Sequence, residues 1–153
     1  MKKYIKAGLL FVWMALIFFL SAQPGNDSLE TSNKVAELFY SIYALIIPKE
    51  KLMNIAQFLN KYIDIIRAFA HYTEFLILGV LTYITFKDYF KEKNLLIYSL
   101  LFSILYAISD EIHQLFVVNR YCSVNDMFVD ALGCITGVLL IHLIYCLCRK
   151  YAH

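Results

Sequence analysis

Acidic, amide and imidazole side chains recur at helical spacing in a few short stretches of an otherwise apolar chain. His71 and Glu74 are three residues apart, and Asp126 and Asp130 are four apart, so each pair shares a face if its segment is helical. Residues 109–114 read Ser-Asp-Glu-Ile-His-Gln and add two more carboxylates. Such groups suit general acid–base catalysis, the binding of an ammonium group, or the binding of a hard cation such as Mg²⁺ or Ca²⁺.

The composition of the chain indicates the environment of these groups. Hydrophobic residues make up 61% of the 153 residues and charged residues only 17%, whereas soluble domains are roughly 45–50% apolar. A soluble core of this size could not bury so much apolar surface, and a disordered chain would be far less hydrophobic. The net charge of +2 gives no reason to expect nucleic acid as a partner. The composition therefore predicts a membrane protein.

Four cysteines are present: Cys122, Cys134, Cys146 and Cys148. Three of them fall in or beside one apolar stretch, which excludes a secreted disulfide framework. The last two have no matching His or Cys pair at the spacing that zinc sites use. We therefore interpret the cysteines as small apolar side chains.

Four apolar stretches approach the roughly 20 residues that a membrane-spanning helix needs. They cover residues 5–22, 69–86, 95–117 and 125–148. The first follows three lysines, so a cleaved signal peptide is an alternative to a retained span, although its apolar run is longer than a usual signal core. The sequence thus predicts an all-α membrane protein, a four-helix bundle formed by residues 1–153 as a single domain.

Basic residues flank the spans unevenly. Groups of them precede span one, separate spans two and three, and follow span four, whereas the link between spans three and four holds only Arg120. By the positive-inside rule this distribution predicts a multi-pass protein of the cell membrane with both termini in the cytoplasm. The long segment 27–67 would then be extracellular.

This extracellular segment carries two helical patterns. Apolar residues from Val35 to Ile46 recur at helical spacing, Pro48 interrupts them, and a second series runs from Leu52 to Ile66. We predict two amphipathic interfacial helices between spans one and two. They either lie in the membrane interface or pack over the outer ends of the spans.

The alternating topology brings most of the polar residues to one level, at the outer ends of the spans. Carboxylates held close together favour a cation between them, which a basic side chain, a bound ammonium group or a divalent metal would supply. The predicted ligand-binding residues are Gln23, His71, Glu74, Asp110, Glu111, Gln114, Arg120, Asp126 and Asp130. The candidate catalytic residues are His71, Glu74, Asp110 and Asp126.

Gly133 and Gly137 continue the helical face that carries Asp126 and Asp130. Small residues at this spacing let a neighbouring helix approach closely, which predicts that the two aspartates face the bundle interior. Two explanations of the polar cluster stay open. One is an interhelical hydrogen-bond network that only stabilises the bundle, and the other is a ligand or substrate site.

Several strings of residues follow a known family pattern. They are residues 19–23, 67–75 and 109–116, followed by Arg120, Asp126, Asp130 and Gly133. In these strings the sequence resembles the VanZ-like family of bacterial membrane proteins, named for an accessory protein associated with teicoplanin resistance. The family commonly has Pro-Gly before the arginine, where this chain has Val118-Asn119. The resemblance implies a four-span protein linked to envelope stress or to lipoglycopeptide tolerance.

Two functions agree with these observations. A binding protein would hold a lipid head group, a lipid-linked cell-wall precursor or a lipoglycopeptide antibiotic, with arginine on phosphate and carboxylates on an amine. Alternatively, an intramembrane hydrolase or transferase would use His71 and the carboxylates as acid–base groups or metal ligands. An ion or proton conduit is a third explanation. No cofactor is predicted, although the carboxylates would suit a divalent cation such as Mg²⁺ or Ca²⁺, and the oligomeric state stays open.

Overall fold

The computed structural model describes residues 2–151 and contains, within that range, five α-helices and no β-strand. The helices are α1 (Lys2–Ser21), α2 (Gly25–Ile46), α3 (Ile55–Phe86), α4 (Glu92–Gln114) and α5 (Val124–Tyr151). Four of them, α1, α3, α4 and α5, are long and apolar enough to cross a membrane. The predicted all-α bundle of four membrane-spanning helices is confirmed, and the chain is a multi-pass membrane protein. The outermost residues of the predicted domain, 1, 152 and 153, lie outside the described range.

The helix α3 joins two segments that the sequence pattern separates. It runs uninterrupted for 32 residues, so the predicted second amphipathic helix continues directly into the second span, and only α2 is a separate amphipathic helix. The physical reason is that α3 contains no proline, and no glycine before Gly79, to bend or end it. A capping box starts α3: the Asn54 side chain accepts the Gln57 backbone N–H at 2.9 Å, and the Gln57 side chain accepts the Asn54 N–H at 3.3 Å.

The length of α3 exceeds the thickness of a bilayer. At 1.5 Å per residue it is about 48 Å long, against about 30 Å for the hydrocarbon core. Its first half, residues 55–70, pairs with α2 in an antiparallel hairpin that we call the arm. Near the tip of the arm the rings of Tyr40 and Tyr43 pack on Phe58, with centroids 5.3 and 5.1 Å apart.

Glycines let α3 and α5 pack with their backbones in contact. A Cβ atom added at Gly133 would collide with the carbonyl oxygen of Tyr72, and one added at Gly137 would collide with that of Leu76. Gly79 of α3 lies equally close to the α5 backbone. The close helix approach predicted from the spacing of Gly133 and Gly137 is therefore confirmed.

Two ion pairs connect four segments at one end of the bundle. Lys6 of α1 bonds Asp88, in the link after α3, at 2.7 Å, and Arg149 of α5 bonds Glu92 of α4 at 2.6 Å. The N-terminal helix, the link between the second and third spans, and the C-terminal end of α5 thus meet, as an even number of spans requires. The basic groups that flank the spans lie on one side of the bundle.

Aromatic side chains attach α1 to the other helices. The indole N–H of Trp13 donates to the carbonyl oxygen of Glu74 at 3.0 Å, and the hydroxyl of Tyr106 donates to that of Met14 at 2.7 Å. All four cysteines are free, and Cys134 is buried among apolar side chains. The hydrogen bonds of Trp13 and Tyr106 hold the second half of α1 against α3 and α4, beside the polar residues.

Candidate functional site

A cavity of about 190 Å³ lies at the end of the bundle opposite the ion pairs. It is bounded by the end of α1, the first half of α2, the middle of α3, the end of α4, and the link before α5. The polar residues that line it are Ser21, Gln23, Ser28, Thr31, Ser32, Arg67, His71, Glu74, Asp110 and Arg120. Ile17, Leu20, Val35 and Ile66 contribute apolar walls. The cavity is therefore lined by both polar and apolar side chains, on helices whose outer surfaces are apolar.

The structure brings part of the predicted binding set together at this cavity. Five of the nine residues line it: Gln23, His71, Glu74, Asp110 and Arg120. Four do not: Glu111, Gln114, Asp126 and Asp130. The binding role of the nine residues stays a prediction. Their positions separate them into residues that line the cavity and residues that lie behind or beside it.

Asp130 lies directly behind His71. Its carboxylate is completely buried, and Oδ1 is 3.6 Å from His71 Nδ1. This distance is too long for a hydrogen bond, but the two groups attract strongly when the imidazole is protonated. The contact of Gly133 with the Tyr72 backbone brings α5 near enough for this arrangement. The predicted inward orientation of Asp130 is confirmed. Asp130 does not line the cavity itself, because His71 lies between its carboxylate and the cavity.

Glu111 and Gln114 support the link between α4 and α5. The Glu111 side chain is completely buried. Its Oε2 accepts the backbone N–H of Ser123 at 3.0 Å, and its Oε1 accepts the side-chain N–H of Gln114 at 3.0 Å. Gln114 also donates to Asp110 Oδ2 at 3.4 Å. These two residues therefore position Asp110 and the link from behind the cavity.

Replacing Glu111 by alanine is expected to lower the free energy of unfolding by about 2 kcal/mol, because Ser123 and Gln114 lose a buried acceptor. Glu111→Gln keeps an acceptor oxygen and is expected to cost less. Thermal unfolding of the purified variants in detergent measures both, with the half-exposed neighbour Ile112→Ala as a control. Equal stability of the Glu111→Ala variant and the unmodified protein would contradict the supporting role.

Asp126 and His113 lie outside the cavity lining. Asp126 is in the first turn of α5, where its backbone N–H donates to the hydroxyl of Ser123 at 3.2 Å, so that Ser123 caps the helix. His113 stacks on Phe18, with ring centroids 4.4 Å apart. The structure therefore does not bring the candidate catalytic residue Asp126 into the lining with the other three.

The link before α5 anchors Arg120 at the cavity. Its Nε donates to the carbonyl oxygen of Gln23 at 3.0 Å, and its Nη2 donates to that of Leu20 at 3.2 Å. Asn119 adopts a left-handed backbone conformation with φ of 59°, which asparagine tolerates better than most residues with a side chain. The turn that presents the arginine thus forms without the Pro-Gly of the family pattern.

Arg67 lines the cavity but is absent from the predicted binding set. No carboxylate lies within 4 Å of Arg67 or Arg120 in the part of the chain that the structure describes. Burial lowers the pKa of the Arg120 guanidinium and the positive charge of Arg67 adds to this, while nearby carboxylates act in the opposite direction. Both side chains remain charged. Neither guanidinium forms an ion pair, but Arg120 already donates Nε and Nη2 to backbone carbonyl oxygens, so Arg67 is the freer of the two groups for an anion.

Hydroxyl groups of α2 form the opposite wall, and none of them belongs to the predicted binding set. Ser28, Thr31 and Ser32 line the cavity. The hydroxyls of Ser32 and Thr31 donate to the carbonyl oxygens of Ser28 and Asp27, at 2.9 and 3.0 Å, which leaves their oxygens free to accept hydrogen bonds. Their spacing, at positions i, i+3 and i+4, is the signal that would have identified them.

Buried polar atoms around the cavity lack hydrogen-bond partners among residues 2–151. They are Ser21 Oγ, His71 Nδ1, Asp110 Oδ1 and both carboxylate oxygens of Asp130. Each such atom costs roughly 1–3 kcal/mol if it stays unpaired, so water, a shared proton or a ligand is expected there. Among residues 2–151, no group of three or more His, Cys, Asp or Glu side chains is arranged to hold a metal ion.

The fold and the cavity define a class: a multi-pass membrane protein with a cavity, lined in part by polar side chains, at one end of its bundle. The sequence matches the VanZ/LLP1 family over residues 7–145, and the chain belongs to that family. No curated protein and no solved structure matches it. The family match covers all five helices in whole or in part, including every residue that lines the cavity.

Proposed function

We propose that the protein binds the phosphate-bearing head group of a membrane amphiphile, either a phospholipid or a lipid-linked cell-wall precursor, at the outer surface of the bacterial cell membrane. The observation that supports this proposal is the pair Arg67 and Arg120, which share one cavity and have no carboxylate within 4 Å among the described residues. A guanidinium group binds phosphate oxygens in a forked geometry, and the surrounding apolar helices suit the rest of an amphiphile.

Carboxylates on the same cavity extend the proposal to an amine. Glu74 and Asp110 line the wall beside His71, and an ammonium group placed between them would offset their mutual repulsion. A head group with both phosphate and amine would use both sets of charges. The amine of a lipoglycopeptide antibiotic would use the carboxylates alone. Through either ligand, the protein would contribute to envelope stress responses or to teicoplanin tolerance.

A binding titration tests the proposal. Trp13, the single tryptophan of the chain, donates to the Glu74 backbone beside the cavity, so its fluorescence should report occupancy. Dioctanoyl phosphatidic acid is expected to change this fluorescence saturably in detergent-solubilised protein, and dioctanoylglycerol, which lacks the phosphate, is expected to bind much more weakly. Teicoplanin tests the amine alone, and added Mg²⁺ or Ca²⁺ tests whether a divalent cation binds at the carboxylates. Equal binding of the two lipids would contradict the phosphate site.

The orientation in the membrane is a further part of this proposal. The basic end of the bundle is expected in the cytoplasm and the arm outside. In a variant whose native cysteines are replaced by alanine, Lys51→Cys in the arm should react with a membrane-impermeant maleimide in intact cells. Lys93→Cys, at the other end, should react only after lysis. The reverse pattern would contradict the orientation.

An intramembrane hydrolase or transferase is the second candidate. His71 favours it, because its imidazole lines the cavity and has the buried carboxylate of Asp130 behind it at 3.6 Å, an arrangement that can hold a proton-transferring histidine. Purified protein incubated with lipid phosphates, with and without a chelator, would yield a dephosphorylated or transferred product detectable by mass spectrometry. Product formation that is lost in Asp130→Asn would favour catalysis, and the absence of product would favour binding alone.

A further inference from the structure

One face of α2 lines two adjoining cavities. Ser28, Ser32 and Val35 line the polar cavity, and Phe39, Ile42 and Ile46 line an apolar groove further along the arm. These positions follow one another at steps of three or four residues, so they form a single stripe on the helix. The stripe changes from hydroxyl groups near the bundle to hydrocarbon near the tip of the arm.

The facing stripe of α3 changes in the same way. Phe58, Tyr62 and Ile65 line the apolar groove, and Arg67 and His71 line the polar cavity. Because the two helices are antiparallel, the polar end of each stripe faces the polar end of the other. Both helices of the arm therefore change from a charged or polar surface near the bundle to an apolar surface near the tip.

The groove and the cavity adjoin at Ile66. This residue lines both of them, so the two spaces meet at one side chain. The groove has a volume of about 340 Å³, and α2 extends about 20 Å from Ser32 to Ile46 at 1.5 Å per residue. The hydroxyl of Tyr40 donates to the carbonyl oxygen of Met53 at 3.0 Å, which fixes the arm near its tip. The groove thus lies next to the polar cavity, on an arm that is held together at its tip.

We propose that this groove holds the hydrocarbon chain of the same amphiphile whose head group occupies the polar cavity. The inference rests on the proposed head-group site. The ligand class becomes an anionic amphiphile with at least one extended chain, and that chain lies along the arm instead of between the membrane-spanning helices. The position of the groove beside the cavity, with Ile66 lining both, and the matched polarity of both stripes support this occupant over the general lipid contact that any apolar surface makes.

A homologous series of ligands tests the proposal. Butyl, octyl and dodecyl phosphate share one head group, and each methylene that becomes buried contributes about 0.8 kcal/mol, or about fourfold in affinity. The measured quantity is the ratio of Kd for butyl phosphate to Kd for octyl phosphate, from Trp13 fluorescence. Detergent affects this ratio equally in all variants. Ile42→Gln, in the groove, is compared with Leu45→Gln, which makes the same change on a side chain that is 87% exposed and outside the groove.

The expected result is a ratio at least about tenfold lower in Ile42→Gln, with butyl phosphate binding and the thermal unfolding temperature unchanged, and no change of ratio in Leu45→Gln. Equal ratios in all three proteins would overturn the chain site, and would leave the head-group site intact if Arg67→Gln still weakens butyl phosphate binding. Equal losses in both glutamine variants would assign the effect to general apolar contact. A change from dimer to monomer in Ile42→Gln without a change of ratio would assign the groove to a second copy of the chain. Failure of butyl phosphate to bind the unmodified protein would overturn both proposals.

Discussion

Replacing Arg67 by glutamine is expected to weaken the binding of phosphate head groups by about tenfold to a hundredfold while leaving the fold intact. A hydrogen bond to a charged group contributes about 1.5–3 kcal/mol, and about 1.4 kcal/mol corresponds to a tenfold change in affinity. Arg67 has no ion-pair partner in the described part of the chain, so its removal leaves no buried carboxylate unpaired. Titration with dioctanoyl phosphatidic acid and thermal unfolding measure the two effects separately.

Two other arginines serve as comparisons for Arg67. Arg149→Gln removes a charge at the opposite end of the bundle, where it pairs with Glu92, and is expected to leave binding unchanged. Arg120→Gln is expected to weaken binding and also to lower stability, because its guanidinium holds the carbonyl oxygens of Leu20 and Gln23. If Arg67→Gln and Arg149→Gln bind phosphate head groups equally well, the proposed site is wrong.

Replacing Gly137 by leucine is expected to destabilise the protein by about 3 kcal/mol or more, because a side chain at this position would occupy the space of the Leu76 carbonyl group. α3 and α5 would have to separate, and His71 and Asp130 would move apart with them. Thermal unfolding in detergent measures the loss. Gly8→Leu is the matched control, because nothing lies within 4 Å of a Cβ atom at Gly8. Similar unfolding temperatures for the two variants would contradict the close packing of α3 on α5.

The bundle was largely predictable because its signals are local. Each span is an apolar stretch near 20 residues long, and the spacing of Gly133 and Gly137 identifies the face of α5 that packs on α3. The continuity of α3 was not predictable from apolar periodicity. Its amphipathic first half and apolar second half differ in composition, yet nothing between them bends or ends a helix. The capping box at Asn54 and Gln57, together with the absence of proline, was the available signal.

For the site, only the end of the bundle at which it lies was predictable. Alternating topology brings Glu74, Asp110 and Asp130 to the same end of the bundle. It does not say which side of a helix faces the cavity, so Glu111, which hydrogen-bonds the link before α5, was selected with Asp110, which lines the wall. The α2 hydroxyls were missed for a related reason, because their role depends on how the arm folds back onto α3.

The unbroken α3 helix connects the arm directly to the transmembrane bundle. A helix without proline, and without glycine before Gly79, has no hinge between the arm and the membrane span, so tilting the tip at Ile55 must move Arg67 and His71 along with it. We therefore expect a displacement of the arm to change the shape of the cavity, and a ligand in the cavity to restrict the angle between the arm and the bundle.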